Sequence, residues 1–360
     1  MSKSKILVLG SAVGAYGSGA TGGVSRFSYN ICKSIQKCGY NVEFFAPETN
    51  EPEHFPSQDF PVEIREISGT FQPSSGDGIS DAHWAAVKCG VLQNMLKTAY
   101  SERQKYVLII NLNHDWLPYY ISDFFPCPVL HRPNLCVSDA ATDAAISHFA
   151  QCWPDRIAFI SKFQAMRYSC PQSRILPAGL DPLDYTLGKG KHRKLAWGGR
   201  IIPAKGLEKA AEIAFEYGET LHVAGEIADQ NYWSDLNKKY PGLINYAGYL
   251  NKSELQSFIG GSQVFLQTQN WEETLGIITV EAMFCGTPVV AINRGANNEL
   301  AFDDQTGYIL SEKASVKEWC HAIDSASLLD RANCRDFIIS RHSIEKLTDH
   351  IKSWLQSCLK

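Results

Sequence analysis

The stretch that most constrains this chain is residues 263–299, QVFLQTQNWEETLGIITVEAMFCGTPVVAINRGANNE. Residues 264–268 are apolar and β-branched, the pattern of a buried strand. A polar loop over 269–275 follows, and Gly276 opens a short helix that runs to Cys285. Gly286-Thr287-Pro288 stops that helix, because glycine suits the position after a helix end and proline cannot continue it. Residues 289–292 form a second buried strand. Strand, loop, helix and strand in this order are the repeating unit of a parallel sheet.

The same alternation runs through the chain. In the first half the expected strands are 5–9, 41–46, 62–67, 106–111, 129–131 and 156–160, with helices over 24–37 and 82–100 and a Gly/Ser-rich loop over 68–80. Residues 178–193 break the rhythm with Gly179, Pro182, Gly188 and Gly190, which places an interdomain hinge there. The second half resumes with strands at 194–198, 220–224, 244–247, 264–268, 289–292 and 307–310, and helices that include 207–217 and 253–259. A chain of 360 residues exceeds what one core usually holds. The fold class is therefore α/β, in two Rossmann-like doubly wound domains with mostly parallel sheets. Ligands of such sheets sit at the carboxyl ends of the strands, and with two domains the expected site is the cleft between them.

Charge and cysteine usage exclude other classes. A formal net charge of −4 gives no basic field for nucleic acid. The 11 cysteines contain no C-x-x-C pair, which fits a reducing cytoplasm. Lys3 and Lys5 precede an apolar run of four residues, too short for a signal peptide, so a first strand is expected. No run of 18 apolar residues exists, so no span is expected.

The chemistry-bearing residues cluster where strands end. Glu273 lies just before the helix that Gly276 opens, and Glu281 lies about one turn inside it. The amides near Gly276, Ile277 and Ile278 have no intrahelical partners and favour an anion. A bare phosphate between two acids would be repelled, so hydroxyl-bearing groups must flank it. A nucleotide sugar meets this demand; the alternative that the spacing leaves open is two exposed glutamates, the usual fate of that residue. Arg200 and Lys205 follow the strand 194–198 and could balance a leaving diphosphate, one by bidentate contact and one as a point charge. Gly22 and Gly23 precede the first helix and would let a ligand approach its amides. Gly17-x-Gly19-x-x-Gly22 also matches a dinucleotide fingerprint, but that fingerprint should follow its strand at once, and here the strand ends near Leu9. His114 ends the strand 106–111 and is placed for polar contact with substrate, or is satisfied by Asp115 or backbone. His131 and Arg132 end the next strand and could line the same cleft. Gly225 and the Gly248-Tyr249-Leu250 run end strands of the second half and could hold a base. No zinc spacing, Walker A sequence, nucleophile elbow or Asp-x-Asp pair appears, so no metal ligands are assigned.

In this order and spacing these residues resemble glycosyltransferase family 4, retaining enzymes of GT-B architecture. The match runs from Ile6 to about Leu310. It is carried by Glu273-Thr-Leu-Gly276 with Glu281-Ala-Met and Gly286-Thr-Pro-Val, by Gly199-Arg200 with Lys205-Gly206, and by Gly22-Gly23, His114-Asp115 and Glu299 with Thr306-Gly307. The resemblance implies an acceptor-side domain over 1–180, a nucleotide-sugar donor domain over 181–340, and a segment over 341–360 that packs back across the hinge. It implies transfer of a hexose from a nucleotide sugar, in first place a UDP-hexose such as UDP-glucose, to a saccharide or lipid-linked saccharide without metal or other cofactor. Glu281 would bind the ribose, and Glu273 the donor sugar with the amides of Gly276, Ile277 and Ile278. Arg200 and Lys205 would stabilise the leaving diphosphate, Gly22 and Gly23 would touch phosphate, and His114 would contact the sugar.

Some positions depart from the family pattern. Ala178 stands where an asparagine is common, Trp271-Glu272 adds a ring and an acid beside Glu273, and Thr274-Leu275 replaces the more usual Gly-Phe. The competing readings are an NAD-dependent Rossmann enzyme, a nucleotide-sugar epimerase and a non-catalytic nucleotide-sugar-binding subunit. Many relatives work at membrane surfaces. Up to Asp184 there are 15 Lys/Arg against 17 Asp/Glu, so no strong basic patch supports more than weak peripheral contact at the inner face.

Overall fold

The computed structural model describes residues 4–13, 23–48, 62–72, 89–136, 139–300 and 305–359. The chain divides into two compact units, Met1–Gly179 with Ile344–Lys360, and Leu180–Ser343. The first unit contains β1 (Lys5–Leu9), α1 (Gly23–Lys37), β2 (Asn41–Pro47), β3 (Glu63–Ile67), α2 (Val91–Ser101), β4 (Tyr106–Asn111), α3 (Trp116–Ile121) and β5 (Val129–His131). It continues through α4 (Ala140–Cys152), β6 (Ala158–Phe159), α5 (Lys162–Arg167) and β7 (Arg174–Ile175). The main sheet has the order β3-β2-β1-β4-β5, with every pair parallel. Its central strands are mostly apolar, as a sheet covered on both faces requires, and the one buried acid, Glu43 of β2, is paired with Lys5 of β1 at 2.8 Å.

The second unit contains β8 (Arg193–Gly198), α6 (Leu207–Tyr217), β9 (Leu221–Ala224), α7 (Gln230–Lys239), β10 (Ile244–Tyr246), α8 (Lys252–Gly260) and β11 (Ser262–Gln267). After these come α9 (Ile277–Phe284), β12 (Val289–Ile292), β13 (Gly307–Leu310), α10 (Val316–Ser327) and α11 (Arg331–His342). Its sheet order is β10-β9-β8-β11-β12-β13, again all parallel. In each sheet the strand order reverses once, between β1 and β4 and between β8 and β11. Such a switch point opens a crevice at the strand carboxyl ends, and the loops that carry His114, Arg200, Lys205 and Glu273 leave strands there.

A last helix, α12 (Ile344–Cys358), belongs to the first unit. Ile344, Leu347, Ile351, Trp354 and Leu355 recur at helical spacing and are buried in one core with Phe27, Ile31 and Ile35 of α1. Each such side chain contributes about 1.5–3 kcal/mol by leaving water. The Trp354 indole also donates to the Asp155 carbonyl at 2.8 Å, so the buried ring leaves no polar atom unpaired.

Two expectations change. The strand over 156–160 shortens to Ala158–Phe159, because Pro154–Arg156 form a 3-10 turn and the strand pairs only with β7 across two residues. The break expected over 178–193 narrows to Gly179–Leu180. Residues beyond it are bound into the second unit, where the Gly188 amide donates to Cys285 and the His192 amide to Gly261, each at 2.9 Å. Glycine and proline mark irregular backbone but do not say whether that backbone is loose. The expected helix over 82–100 is seen from Val91, its residues 82–88 lying outside the described ones, as do 73–80 of the glycine/serine stretch.

Gly179 has φ +71°, and a Cβ there would sit 2.3 Å from Leu347 Cδ2. Gly179→Ala is expected to cost about 2–3 kcal/mol, from the left-handed backbone and from overpacking against α12. Calorimetry of the full chain should show a Tm lower by roughly 4–10 °C. An unchanged Tm would remove the argument that this crossover is sterically fixed.

Candidate functional site

In the second unit, the loops that follow β8 and β11 are bonded to each other. Thr268 Oγ1 donates to the Gly206 carbonyl at 2.8 Å, and the Asn270 amide donates to the Ala204 carbonyl at 2.8 Å. The approach is close enough that a Cβ on Gly206 would meet the Thr268 oxygen at 1.9 Å. It delivers Lys205 to Glu273, with Nζ 2.9 Å from Oε2. Trp271 Nε1 donates to the same oxygen at 3.0 Å, and the Lys205 ammonium lies 4.2 Å from the Trp271 ring centroid. The Glu273 carbonyl accepts from the Ala296 amide at 2.9 Å. Gly295, at φ +64°, leaves room for the Glu273 backbone, which a Cβ would strike at 2.4 Å. Glu273 is thus fixed at both backbone and carboxylate, and its side chain is only 14 % exposed.

Gly276 caps α9 in a left-handed conformation, and no side chain caps that end. The first helical amides are therefore left to a ligand or to solvent. One turn in, Glu281 is 4 % exposed, and Tyr185 Oη donates to its Oε1 at 2.9 Å. Tyr185 is itself buried and stands edge-on to Phe284 with ring centroids 5.3 Å apart. Neither glutamate is the exposed surface acid that spacing alone allowed. Nearby, Thr279 Oγ1 and Gln269 Oε1 are buried with no hydrogen-bond partner among the described residues. Buried polar atoms left unpaired are costly, so two of them beside an uncapped helix end fit a site that a polar ligand completes.

The remaining second-unit residues have distinct surroundings. Arg200 is half-buried on the loop after β8. Gly225 is demanded by its neighbour, since a Cβ would sit 1.9 Å from the Gly199 carbonyl oxygen. Tyr249 is exposed and Leu250 half-buried after β10. Ile278 packs its Cδ1 where a Cβ on Gly198 would stand, at 2.5 Å. Ile277 and Ile278 are both half-buried.

In the first unit, β4 runs into Asn113 and His114. Both ring nitrogens of His114 are buried without a hydrogen-bond partner among the described residues. Asp115 is committed elsewhere, accepting from the Leu117 amide and from Gln72 Nε2, each at 2.8 Å. Burial pushes the His114 pKa down to about 4, against a small opposing pull from Asp139. Gly23 is the first residue of α1, and Gly22 lies outside the described residues.

His131 requires a correction. It does not line a crevice but is fully buried, stacked on Tyr119 at 4.1 Å. Asn111 Nδ2 stands 3.2 Å from its Nδ1, and Ser122 Oγ stands 2.7 Å from its Nε2. Ser122 spends its own proton on the Pro118 carbonyl at 2.7 Å, so the ring donates from Nε2 and accepts at Nδ1. A neutral imidazole satisfies this arrangement completely, and burial pushes its pKa down to about 3.

These two histidines predict acid lability. Unfolded imidazoles bind a proton below about 6.5, whereas folded His114 and His131 stay neutral down to about 4 and about 3. Between those values the unfolded chain binds more protons, so stability is lost as pH falls through the window. Each imidazole contributes a slope of up to about 1.4 kcal/mol per pH unit. The urea midpoint is expected to fall steadily as pH drops from about 6.5 towards 4.5. A flat profile there would contradict neutral burial of both rings.

Comparison with known proteins finds a family match in the second unit. Residues 187–341 match the family model Glycosyl transferases group 1. The matched stretch spans most of the second unit. The putative glycosyltransferase YtcC of Bacillus subtilis is 27% identical over 95 residues, an alignment covering 26% of this chain and 23% of that protein. The chain thus matches less than a quarter of the length of that relative. Glycogen synthase of Mycobacterium tuberculosis is 23% identical over 327 residues, covering 79% of this chain and 78% of that one. Sucrose-phosphate synthase from Thermosynechococcus elongatus superposes with a TM-score of 0.78 at 16% identity, over 99% of both chains. The Anabaena protein HepE in complex with UDP and glucose gives 0.73 at 16% identity, over 98% of this chain and 100% of that one. The fold is that of GT-B glycosyltransferases, as the order of motifs implied. Among the described residues no group of three or more His, Cys, Asp or Glu is placed to share a metal. No described helix is long and apolar enough to cross a membrane.

Two features of the site escaped the sequence. Tyr185 lies in the stretch taken for a hinge, where it is the one Trp, Tyr or Phe. A lone ring in an otherwise polar linker has to pack somewhere, and that was the available signal. Trp271 was noticed for bulk, but its indole acts here as a second donor to Glu273.

Proposed function

We propose that this protein is a retaining hexosyltransferase of glycosyltransferase family 4. It would move a hexose from a nucleotide sugar, in first place UDP-glucose or another UDP-hexose, to a saccharide or lipid-linked saccharide. The observation that carries this reading is the uncapped start of α9, set between the Lys205–Glu273 pair and the buried Glu281–Tyr185 pair. The family match over residues 187–341 supports it, as does likeness in fold to a protein crystallised with UDP-glucose.

In this reading Glu281, held by Tyr185, accepts from the ribose hydroxyls. The amides of Gly276, Ile277 and Ile278 face the sugar and diphosphate, and Tyr249, Leu250 and Gly225 lie on the base side. Trp271 and Lys205 occupy Oε2 of Glu273, which turns its other oxygen to a hydroxyl of the transferred sugar. Cleavage of the sugar–phosphate bond builds negative charge on the diphosphate, and Lys205 and Arg200 lie on the loop that would meet it. One fixed donor aimed at such charge is worth about 3–4 kcal/mol. His114, neutral and without a hydrogen-bond partner among the described residues, is assigned to the sugar, and Gly22 and Gly23 to phosphate. With two cations at the leaving group, the reaction is proposed to proceed without metal.

Glu281→Ala is expected to weaken UDP binding roughly 10–100-fold, from the loss of charge-assisted hydrogen bonds. Titration calorimetry reads this directly, and an unchanged affinity would sink the assignment. A screen of UDP-, GDP- and ADP-sugars for slow hydrolysis identifies the donor without any acceptor. Stabilisation by NAD(H) but not by UDP would favour the dinucleotide reading. Isomerisation of the donor sugar would mark an epimerase, and tight binding without turnover on any acceptor a binding subunit.

A further inference from the structure

Arg132 leaves β5 directly after His131 and is 3 % exposed. Its backbone amide donates to the Asn111 carbonyl at 3.0 Å, which fixes it beside the end of β4. Its guanidinium lies 3.0 Å from the ring centroid of Phe27, just inside the start of α1. Nη1 donates to Asn134 Oδ1 at 2.5 Å, and Nε has no partner among the described residues. Asn134 is itself anchored, its Nδ2 donating to the Leu112 carbonyl. No described carboxylate forms an ion pair with Arg132, and burial alone pushes its pKa down. An arginine nevertheless stays protonated.

A half-buried guanidinium used for structure looks different in this same chain. Arg331 donates from Nε to Gly188 at 2.8 Å and from its other nitrogens to Ser262, Gly260 and Thr287 at 3.0, 3.0 and 2.7 Å. Arg132 makes one such bond, to a neutral amide. A buried charge without an anion is among the most costly groups a fold can hold, so its persistence argues for a partner that arrives from outside. The position suits one. Arg132 and His114 leave the hydrogen-bonded neighbouring strands β5 and β4 at their carboxyl ends, and β4 borders the switch point of the first sheet.

We propose that Arg132 is the anion-binding residue of the first unit and takes a carboxylate or phosphate group carried by the acceptor sugar. This rests on the transferase reading and adds the acceptor's chemical class. Asn134 and Phe27 act as positioning residues, aiming the guanidinium and supporting its face.

The test uses the full chain with glucose 6-phosphate, glucuronate and glucose at matched ionic strength. At about ten times its dissociation constant, an anionic sugar should raise the Tm by roughly 3–5 °C. Glucose should not, and the better of the two anions tells phosphate from carboxylate. Arg132→Met should lose the shift and melt no lower than wild type without ligand, since an uncompensated charge has gone. In the wild-type chain, the Arg132 Nε–H resonance, assigned by its loss in Arg132→Lys, should move with the anionic sugar only. The proposal is overturned if neither anion shifts the wild type, or if Arg132→Met keeps the shift. Hydrolysis of UDP-glucose by the wild-type chain is measured separately. Its absence would sink the transferase reading while leaving the anion result to stand or fall alone.

Discussion

Lys205→Met is expected to lower kcat by about 10²–10³-fold while changing donor affinity much less. The ammonium lies 2.9 Å from Glu273 and over the Trp271 ring, so it is already oriented before any ligand arrives. A preoriented charge costs no reorganisation when negative charge builds on the leaving diphosphate, and this is where a cation gains most. The ground-state diphosphate is also anionic, so some affinity is lost too, but only the part of the interaction that strengthens in the transition state appears in kcat. Lys205→Arg should not restore the rate. Its planar fork cannot occupy the compact position between an indole face and one carboxylate oxygen. A purely structural lysine makes a different prediction. If Lys205 only steadied Glu273, then Lys205→Met and Glu273→Gln would cost the same, and the double variant no more than either. Steady-state kinetics of donor hydrolysis separate the two cases, and a kcat within about threefold of wild type would end the leaving-group assignment.

Much of the fold was legible because parallel sheets write themselves plainly. Buried strands such as β4, β5, β12 and β13 are short apolar runs bounded by polar turns, and the structure ends them at the expected residues. Helix α6 has the expected bounds because Gly206 and Gly218, both left-handed, delimit it. The Glu273–Gly276–Glu281 spacing was legible for the same reason, since a helix start fixes what lies one turn away. What escaped depends on contacts between distant parts of the chain. Nothing local says that Lys205 will bond Glu273, because the close approach is set by Gly206 against the Thr268 carbonyl, 62 residues apart. His131 and His114 look alike in sequence, each at the end of a strand. The side chains of Asn111 and Ser122 turn one into a core residue, while the other has two nitrogens without a partner among the described residues.

The largest stability effect is expected from Arg331→Ala, although this residue lies in no motif. Its guanidinium binds four acceptors on three separate pieces of the second unit, namely the Gly188 carbonyl, the Gly260 and Ser262 carbonyls around the start of β11, and Thr287 in the Gly-Thr-Pro turn after α9. The same turn explains Gly286, since a Cβ there would meet the Arg331 carbonyl at 2.7 Å and Leu187 at 2.4 Å. Removing the side chain deletes these charge-assisted bonds together, at a half-buried position where water replaces them only in part. Hydrogen bonds from a charged donor are worth about 1.5–3 kcal/mol each and are not additive, so a loss of about 3–5 kcal/mol is expected. For a unit of this size the Tm should fall by roughly 8–15 °C. Arg331→Lys should recover little of it, because one ammonium cannot reach acceptors that a planar fork spans. The consequence for binding follows from the chain. Gly188 lies three residues beyond Tyr185, so the clamp also holds the segment that presents the tyrosine to Glu281. At a temperature where the variant is still folded, UDP affinity should therefore fall in Arg331→Ala by about as much as in Tyr185→Phe. Combining the two should add little, since both act through one hydrogen bond. Full additivity in calorimetric titrations would show that the clamp serves the fold and leaves the glutamate untouched.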